Sequence, residues 1–478
     1  MLPKNLLYTS RIESAPAKSS RVGIAPQNGT GPYLLNDLIT INLPTQPNIV
    51  LVPSESYLKF TLPAITAAGI AGASTSLRLD SCGAHQFIQS IRIYHGSNCL
   101  QSIDNYGLLA KMLFDISVPT DAILGKLNVL AGTRGDLAAN FSNVADIAGF
   151  ADVNTVYKNS FSVSSVNSGE LVRNSNAASL LVTNDVTAPM TFCINLISLL
   201  GTLCPNNYFP LFMLAGSPLR LEIQLVDSLV KAMNCTCALV PTCLTGLMSN
   251  VEYVANFIEL GDAAMSMIDS SLNGNPLQFV FSDYKSYQYT AAVGAGETQI
   301  QMPIGAKFSS LKSLFVTVRD KGLGALTFFP SSSVNFGIKE YQFRIGPNVM
   351  PPKPVATPQE MFFECVKAIG SMSDLNYQPS IDKASYAMPV SLANTTVLEK
   401  YGASNVSSGS FFIGLDLENY ANADKSQIFS GANTNVDDIY CTMTFTGSQN
   451  QVPMVRFDAF ALFDSVIVFE NSTCYIRF

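Results

Sequence analysis

Residues 91–113, IRIYHGSNCLQSIDNYGLLAKML, and residues 341–363, YQFRIGPNVMPPKPVATPQEMFF, share one order of element types at an offset of 250 positions. Each opens on a strand-like run and passes through Gly-x-Asn. Each then crosses a short apolar pair and a polar or proline stretch, and enters a helix. Gly96 matches Gly346 and Asn98 matches Asn348. Both residue types tolerate the positive φ that a tight strand reversal needs, so these four positions are read as structural turns. Pro351, Pro352 and Pro354 are expected to prevent ladder pairing and carry the chain into the helix. Identity between the copies is low. The order of elements, and an offset close to half of the 478 residues, constrain the fold more than any single residue does.

The two helices carry their own signals. Residues 102–115 repeat apolar side chains at Leu108, Leu109, Met112 and Leu113, with Ser102 or Asp104 as the expected N-cap. Residues 357–370 are marked more strongly. Thr357 is the N-cap, Pro358 stands at the first helical position, Glu360 completes a capping box and Gly370 is a stop signal. Around them the pattern is mostly strands. YLKFTLP (57–63), LRLEIQLV (219–226), LQFVFSDY (277–284), TQIQMPI (298–304), SLFVTVRD (313–320), YCTMTFTG (440–447) and DSVIVFE (464–470) are short, alternating, and rich in β-branched or aromatic residues. Strands do not alternate regularly with helices, which disfavours a parallel α/β sheet. The reading is all-β with a few short helices.

A second echo supports duplication. Two strands with a short loop between them close each half: SPLRLEIQLVD then SNVEYVANFIEL, and IYCTMTFTG then FDAFALFDSVIVFEN. The chain therefore divides into an N-terminal arm (1–29), a first β unit (30–260), a connector (261–274) that suits a short helix, and a second β unit (275–478). Two tandem units suit the pattern better than one very large sheet, which would have to curl or split. Residues 115–190, rich in Asn, Ser and Ala, interrupt the first unit. So long a segment without strands is expected as a surface excursion that packs on a neighbour. A shorter polar excursion, 394–410, sits in a comparable place in the second half.

Composition narrows the function classes. Charged residues are 13% of the chain, about half the usual share of roughly 25%. A surface with so few charges suits burial against other subunits. The net charge of −7 argues against a general nucleic-acid coat. The first 24 residues are the exception, with Lys4, Arg11, Lys18 and Arg21 against Glu13; this arm is expected to touch an acidic partner or the inside of an assembly. No segment reaches the ~18–20 apolar residues of a membrane helix, and residues 1–14 have no apolar core of signal-peptide length. A chain neither secreted by the usual route nor embedded in a membrane is the expectation. On that reading the ten cysteines are buried free thiols, and the sequons at Asn28, Asn140, Asn234, Asn394, Asn405 and Asn471 reflect composition alone.

Catalytic chemistry is not written in the sequence. The two histidines, His85 and His95, form no H-x-H pair for a metal enzyme of the cupin type. Cys235, Cys237 and Cys243 lack zinc-pair spacing. There is no G-x-S-x-G, no P-loop and no paired carboxylate motif. No catalytic residue, cofactor or metal site is assigned, and the chain is read as no enzyme.

Two tandem antiparallel units, each with a strand–turn–helix element, resemble the double jelly-roll major capsid proteins of tailless icosahedral double-stranded DNA viruses. These include adenoviruses, virophages, polinton-like viruses and the large nucleocytoplasmic viruses, with the virophage and polinton-like group nearest in length. The stretches that look most alike are YFPLFMLAGSPLRLEIQL (208–225), VEYVANFIEL (251–260) and YQFRIGPNVMPPKP (341–354). The resemblance implies two tandem eight-stranded antiparallel jelly rolls standing upright on a shell. It implies a pseudo-hexameric homotrimer that packs with neighbouring capsomers, with penton and minor capsid proteins as further partners. The N-terminal arm would face the genome or an internal membrane, and 115–190 would form a tower. It places the protein in the virion, assembled inside the host cell. The alternative reading is a β-sandwich glycan- or receptor-binding surface protein.

Overall fold

The computed structural model describes residues 17–62, 74–133, 170–175, 190–203, 208–214, 216–228, 231–235, 246–294, 296–320, 331–370, 379–381, 386, 409–419, 430–446, 454–470 and 473–478. In the first half these form β1 (Ala17–Ile24), β2 (Leu38–Leu43), β3 (Ile49–Leu51), β4 (Tyr57–Leu62), β5 (Ser74–Leu79) and β6 (Ile88–His95). Then come β7 (Asn98–Asp104), helix α1 (Tyr106–Ser117), β8 (Glu170–Ser175), β9 (Met190–Ile194), β10 (Leu219–Leu225), β11 (Met233–Cys235) and β12 (Ser249–Leu260). Helix α2 (Asp262–Leu272) occupies the expected connector. The second half holds β13 (Leu277–Ala292), β14 (Thr298–Ile304), β15 (Leu311–Asp320), β16 (Ile338–Ile345) and β17 (Asn348–Val355). Helix α3 (Pro358–Lys367), β18 (Phe412–Asp416), β19 (Ile439–Phe445), β20 (Met454–Glu470) and β21 (Thr473–Arg477) complete it.

Each half is a sandwich of two antiparallel sheets. In the first, one sheet runs β1-β12-β4-β9 and the other β2-β10-β6-β7; in the second, β13-β20-β15-β18 faces β14-β19-β16-β17. Numbered along their own sandwiches, both units follow one order: first–eighth–third–sixth and second–seventh–fourth–fifth. Eight strands describe these paths alone. The first unit adds β3 and a three-stranded β11-β5-β8 sheet, and the second adds β21. Alternation drives the packing: β10 (LRLEIQL) buries every other side chain, with Leu219, Leu221, Ile223 and Leu225 fully enclosed.

Several expectations need correction. Residues 17–24, placed in the arm, pair with β12 along their whole length and so form an edge strand despite having no alternation of their own; residues 1–16 lie outside the described residues. Helix α1 starts at Tyr106, not near Ser102. Ser102 and Asp104 are held in the β6–β7 ladder opposite Arg92 and Ser90, and the residue before the helix is Asn105, left-handed at φ +52. Pro351, Pro352 and Pro354 do interrupt the ladder as expected, but they do so within β17 and not after it. They are tolerated because β17 is the edge of its sheet and its register jumps from Phe343↔Met350 to Tyr341↔Val355. Gln342 Nε2 donates to the carbonyls of Pro351 (2.9 Å) and Pro352 (3.2 Å), replacing part of the lost ladder. Of the excursion at 115–190, residues up to 133 are largely helical and 170–175 are β8; 134–169 and 176–189 lie outside the described residues, as does 394–408.

The hairpins β6–β7 and β16–β17 close through two-residue turns in which Gly96 and Gly346 take φ of +59° and +53°. Asn98 and Asn348 open the returning strands and are not left-handed. A Cβ at Gly346 would also approach Asp437 Oδ1 to 2.5 Å. Gly346→Val is therefore expected to destabilise the chain by about 1–3 kcal/mol, read as a lower urea midpoint. An unchanged midpoint would contradict the turn.

Candidate functional site: the seam between the two units

β20 (MVRFDAFALFDSVIVFE) has no polar face. It is buried on both sides from Phe457 to Phe469. One side meets its own sandwich partner, and the other meets the first unit. A strand covered on both faces reads as a nearly continuous apolar run. One apolar core accordingly joins the first sandwich to Phe279, Phe281, Phe315, Phe412, Phe460, Ile467 and Phe469 of the second. The Phe209 ring packs edge-on to Phe279 (5.4 Å) and Phe469 (5.9 Å).

Among the described residues, three polar clusters cross this apolar seam, with further single bonds beside them. At the first, fully buried Asp458 of β20 accepts from Arg319 Nε (2.9 Å) and Nη2 (2.6 Å) through one oxygen. Its other oxygen accepts from Arg456 Nε (3.0 Å) and Asn105 Nδ2 (3.4 Å). Arg456 Nη2 then donates to Asn105 Oδ1 at 3.1 Å. Asn105, the left-handed residue before α1, thus ties the first unit into a buried cluster of the second. Burial lowers the Arg319 pKa, and the Asp458 charge opposes that shift.

At the second, buried Lys111 of α1 pairs with Asp115 and donates to Ser410 Oγ at 2.8 Å, while Ser410 Oγ donates to Asp115 Oδ2 at 2.7 Å. Nearby, Asp80 accepts from the Ser331 amide at 3.0 Å and from its hydroxyl. At the third, Gln101 on β7 accepts the Leu199 amide (2.8 Å) through Oε1, which leaves its NH2 to donate to Asp283 Oδ1 on β13 (2.6 Å). The Tyr284 amide donates to the same oxygen at 2.8 Å. Burial raises the Asp283 pKa from 3.8 to about 7, against the downward pull of Gln101, the Tyr284 amide and Lys285. Asn98 Nδ2 adds a bond to the Cys474 carbonyl at 3.0 Å.

Among the positions marked in the sequence, Asn98 reaches the seam, and Gly96 sits at the turn that delivers it. Gly346, Asn348, Thr357 and Glu360 lie away from it. Thr357 Oγ1 accepts the Glu360 amide at 3.2 Å, and the Glu360 carboxylate accepts from the Ala356 amide at 3.4 Å, one residue before the cap. Asp458, Arg319, Lys111, Gln101 and Asp283 escaped the sequence reading. The signal was an acid inside an apolar run, Asp458 in FDAFALF and Asp283 in FVFSDY.

At the seam, Gln86, Asn105, Lys231, Arg319 and Arg456 line a small, partly open pocket of about 40 Å3. That is room for a water or two, far below the roughly 300–1000 Å3 of organic-ligand pockets. His85 is a core residue: it bonds Tyr106 Oη at 3.0 Å, packs on Phe114, and burial lowers its pKa to about 3. His95 ends β6. Among the described residues, no group of three or more His, Cys, Asp or Glu is placed to hold a metal; Cys237 and Cys243 lie outside them. Among the described residues, too, no helix is long and apolar enough to cross a membrane.

No protein-family profile and no curated protein sequence matches the chain. Its shape does find counterparts. It superposes over 99% of its length on 99% of VP54 of PBCV-1, as fitted into a reconstruction of the virophage Sputnik, with a TM-score of 0.62 and 7% identity. The chain has the double jelly-roll fold of viral major capsid proteins. The Faustovirus major capsid protein aligns over 97% of this chain and 93% of its own length (TM-score 0.56, 10% identity). The mavirus major capsid protein aligns over 100% and 93% (TM-score 0.52, 11% identity). At such identities the likeness is one of fold, and it spans both jelly rolls.

The raised pKa of Asp283 gives the seam a pH dependence. A carboxyl whose folded pKa exceeds its unfolded value stays neutral in the native chain while the unfolded chain ionises. Stability from this group is therefore lost as pH rises from about 4 to about 7, and changes no further above that. Asp283→Asn keeps both hydrogen bonds to Oδ1 and removes the titration. Urea unfolding at pH 5 and pH 8 should show the variant losing less stability than the native chain across that interval, by on the order of 1–4 kcal/mol. Equal losses would contradict the assignment.

Proposed function

We propose that the chain is the major capsid protein of a tailless icosahedral virus, a structural shell protein whose work is self-association. The observation that carries this reading is the repeated strand order, fixed by a buried seam, together with a likeness to viral major capsid proteins that runs the length of the chain. Two units of one topology in each chain let three chains present six similar lobes. A homotrimer can then fill a site of hexagonal symmetry and tile a shell, with closed cyclic symmetry as the ordinary outcome for a homo-oligomer. The low charge content suits extensive contacts within and between such trimers, since obligate interfaces are large and apolar.

On this reading the division at 261–274 separates an upright jelly roll on each side. The partners are other copies, then neighbouring capsomers, penton and minor capsid proteins. The N-terminal arm, with Lys4 and Arg11, would contact the genome or an internal membrane. The seam is structural, and no catalytic role is assigned to its charged groups. Among the described residues, no feature favours the glycan-binding alternative.

Light scattering on the purified chain tests the association. The expected mass is three times the 51.4 kDa of one chain. A monomer at micromolar concentration would contradict the proposal.

A further inference from the structure

Asn-Gly occurs twice in the chain, at Asn28–Gly29 and at Asn273–Gly274. In such a pair the side-chain amide is open to attack by the next peptide nitrogen, because glycine puts no Cβ beside that nitrogen. The fold treats the two copies differently. Asn28 is held on both sides of its amide: Nδ2 donates to the Leu38 carbonyl at 2.6 Å, and Oδ1 accepts the Thr40 amide at 3.3 Å. The Gly29 nitrogen is engaged as well, donating to the Pro26 carbonyl at 3.3 Å. Cyclisation at Asn28 would have to break this set.

Asn273 has none of these restraints. It follows α2 as a left-handed residue at φ +47, and its own amide closes the helix on the Asp269 carbonyl at 3.2 Å. Asn273, Gly274 and Asn275 are all exposed. Among the described residues, nothing bonds the Asn273 side chain, and the Gly274 amide donates to no backbone carbonyl. A Cβ placed on Gly274 would meet no atom within 4 Å. Asn275, two positions on, is blocked covalently, since the nitrogen of Pro276 has no proton to lose.

We propose that Asn273–Gly274 is a site of spontaneous covalent modification, through which the connector between the two jelly rolls changes with age. The Gly274 nitrogen loses its proton to solvent base and attacks Asn273 Cγ. The N–Cγ bond forms, the Cγ–Nδ2 bond breaks, and ammonia leaves with a proton from water. Water then opens the succinimide at either carbonyl, giving aspartate or isoaspartate, with no change of oxidation state. Both products put a carboxylate at the negative end of α2, one turn after Asp269 and with no basic residue in that turn. Isoaspartate also routes the backbone through Cβ at the cap. α2 has no buried residue, so the loosening is confined to the connector.

The test incubates the full-length protein in mildly alkaline buffer and follows each peptide by mass spectrometry, with isoaspartyl methyltransferase counting isoaspartate. In the native protein Asn273 is expected to convert about tenfold or more faster than Asn28, whose hydrogen bonds must break first. Asn275 should persist. In urea the two Asn-Gly pairs should convert at similar rates. Asn273→Gly, which suits a left-handed cap, should abolish the fast conversion in a chain of native melting temperature. Hydrogen exchange over 262–275 should quicken in the aged protein. Equal native rates at Asn28 and Asn273, or an Asn273 that persists, overturns the site. An aged protein whose α2 exchanges as slowly as the fresh one overturns the loosening.

Discussion

A single carboxylate, Asp458, is clasped by Arg319 and Arg456 of its own unit and by Asn105 of the other. In an apolar seam that cluster has one good arrangement. A buried charge stripped of its partners costs about 3–5 kcal/mol, while the intact group adds little net stability over a well-packed apolar substitute. Its role is to set position. The rings of Phe209, Phe279 and Phe469 would tolerate some sliding of one sandwich on the other; the forked contacts of Asp458 would not. Lys111 with Asp115 and Ser410, and Gln101 with Asp283, pin the same seam at separate points. The two units therefore meet in a defined orientation, which repetition around an axis requires.

That orientation gives the duplication its use. Two jelly rolls of one topology in one chain are free to differ where they must. β20 can be apolar on both faces because it is covered inside the chain, while its counterpart β12 keeps Glu252 and Asn256 on an open face. The long excursions follow the fifth strand in each unit, after α1 and after α3.

The sequence announced the repeat, the hairpins and the helices more clearly than the seam. Gly96 and Gly346 were legible because two-residue turns demand a residue that accepts positive φ. The Thr357 cap was legible because its partners are close in sequence. Helix α1 began later than expected because ladder pairing held Ser102 and Asp104 in β7, an interaction with a distant strand that outweighs a capping preference. β1 was mistaken for part of a tail because its exposed residues lack alternation, and only pairing with β12, over 200 positions away, makes it a strand. Asp458 and Asp283 went unread, although each stands as an acid in an apolar run. Their partners Asn105 and Gln101 lie in the other half of the chain, and no local pattern links them.

The central claim is that a chain of two like sandwiches, locked by a buried polar seam, builds hexagonal order with threefold symmetry. Electron cryomicroscopy of the assembled protein tests it most directly. The account predicts a threefold ring of six upright sandwiches, alternating first and second unit, with the Asp458 cluster at every contact within a chain. A particle with any other symmetry, or sandwiches lying flat with β12 open to solvent, would contradict it.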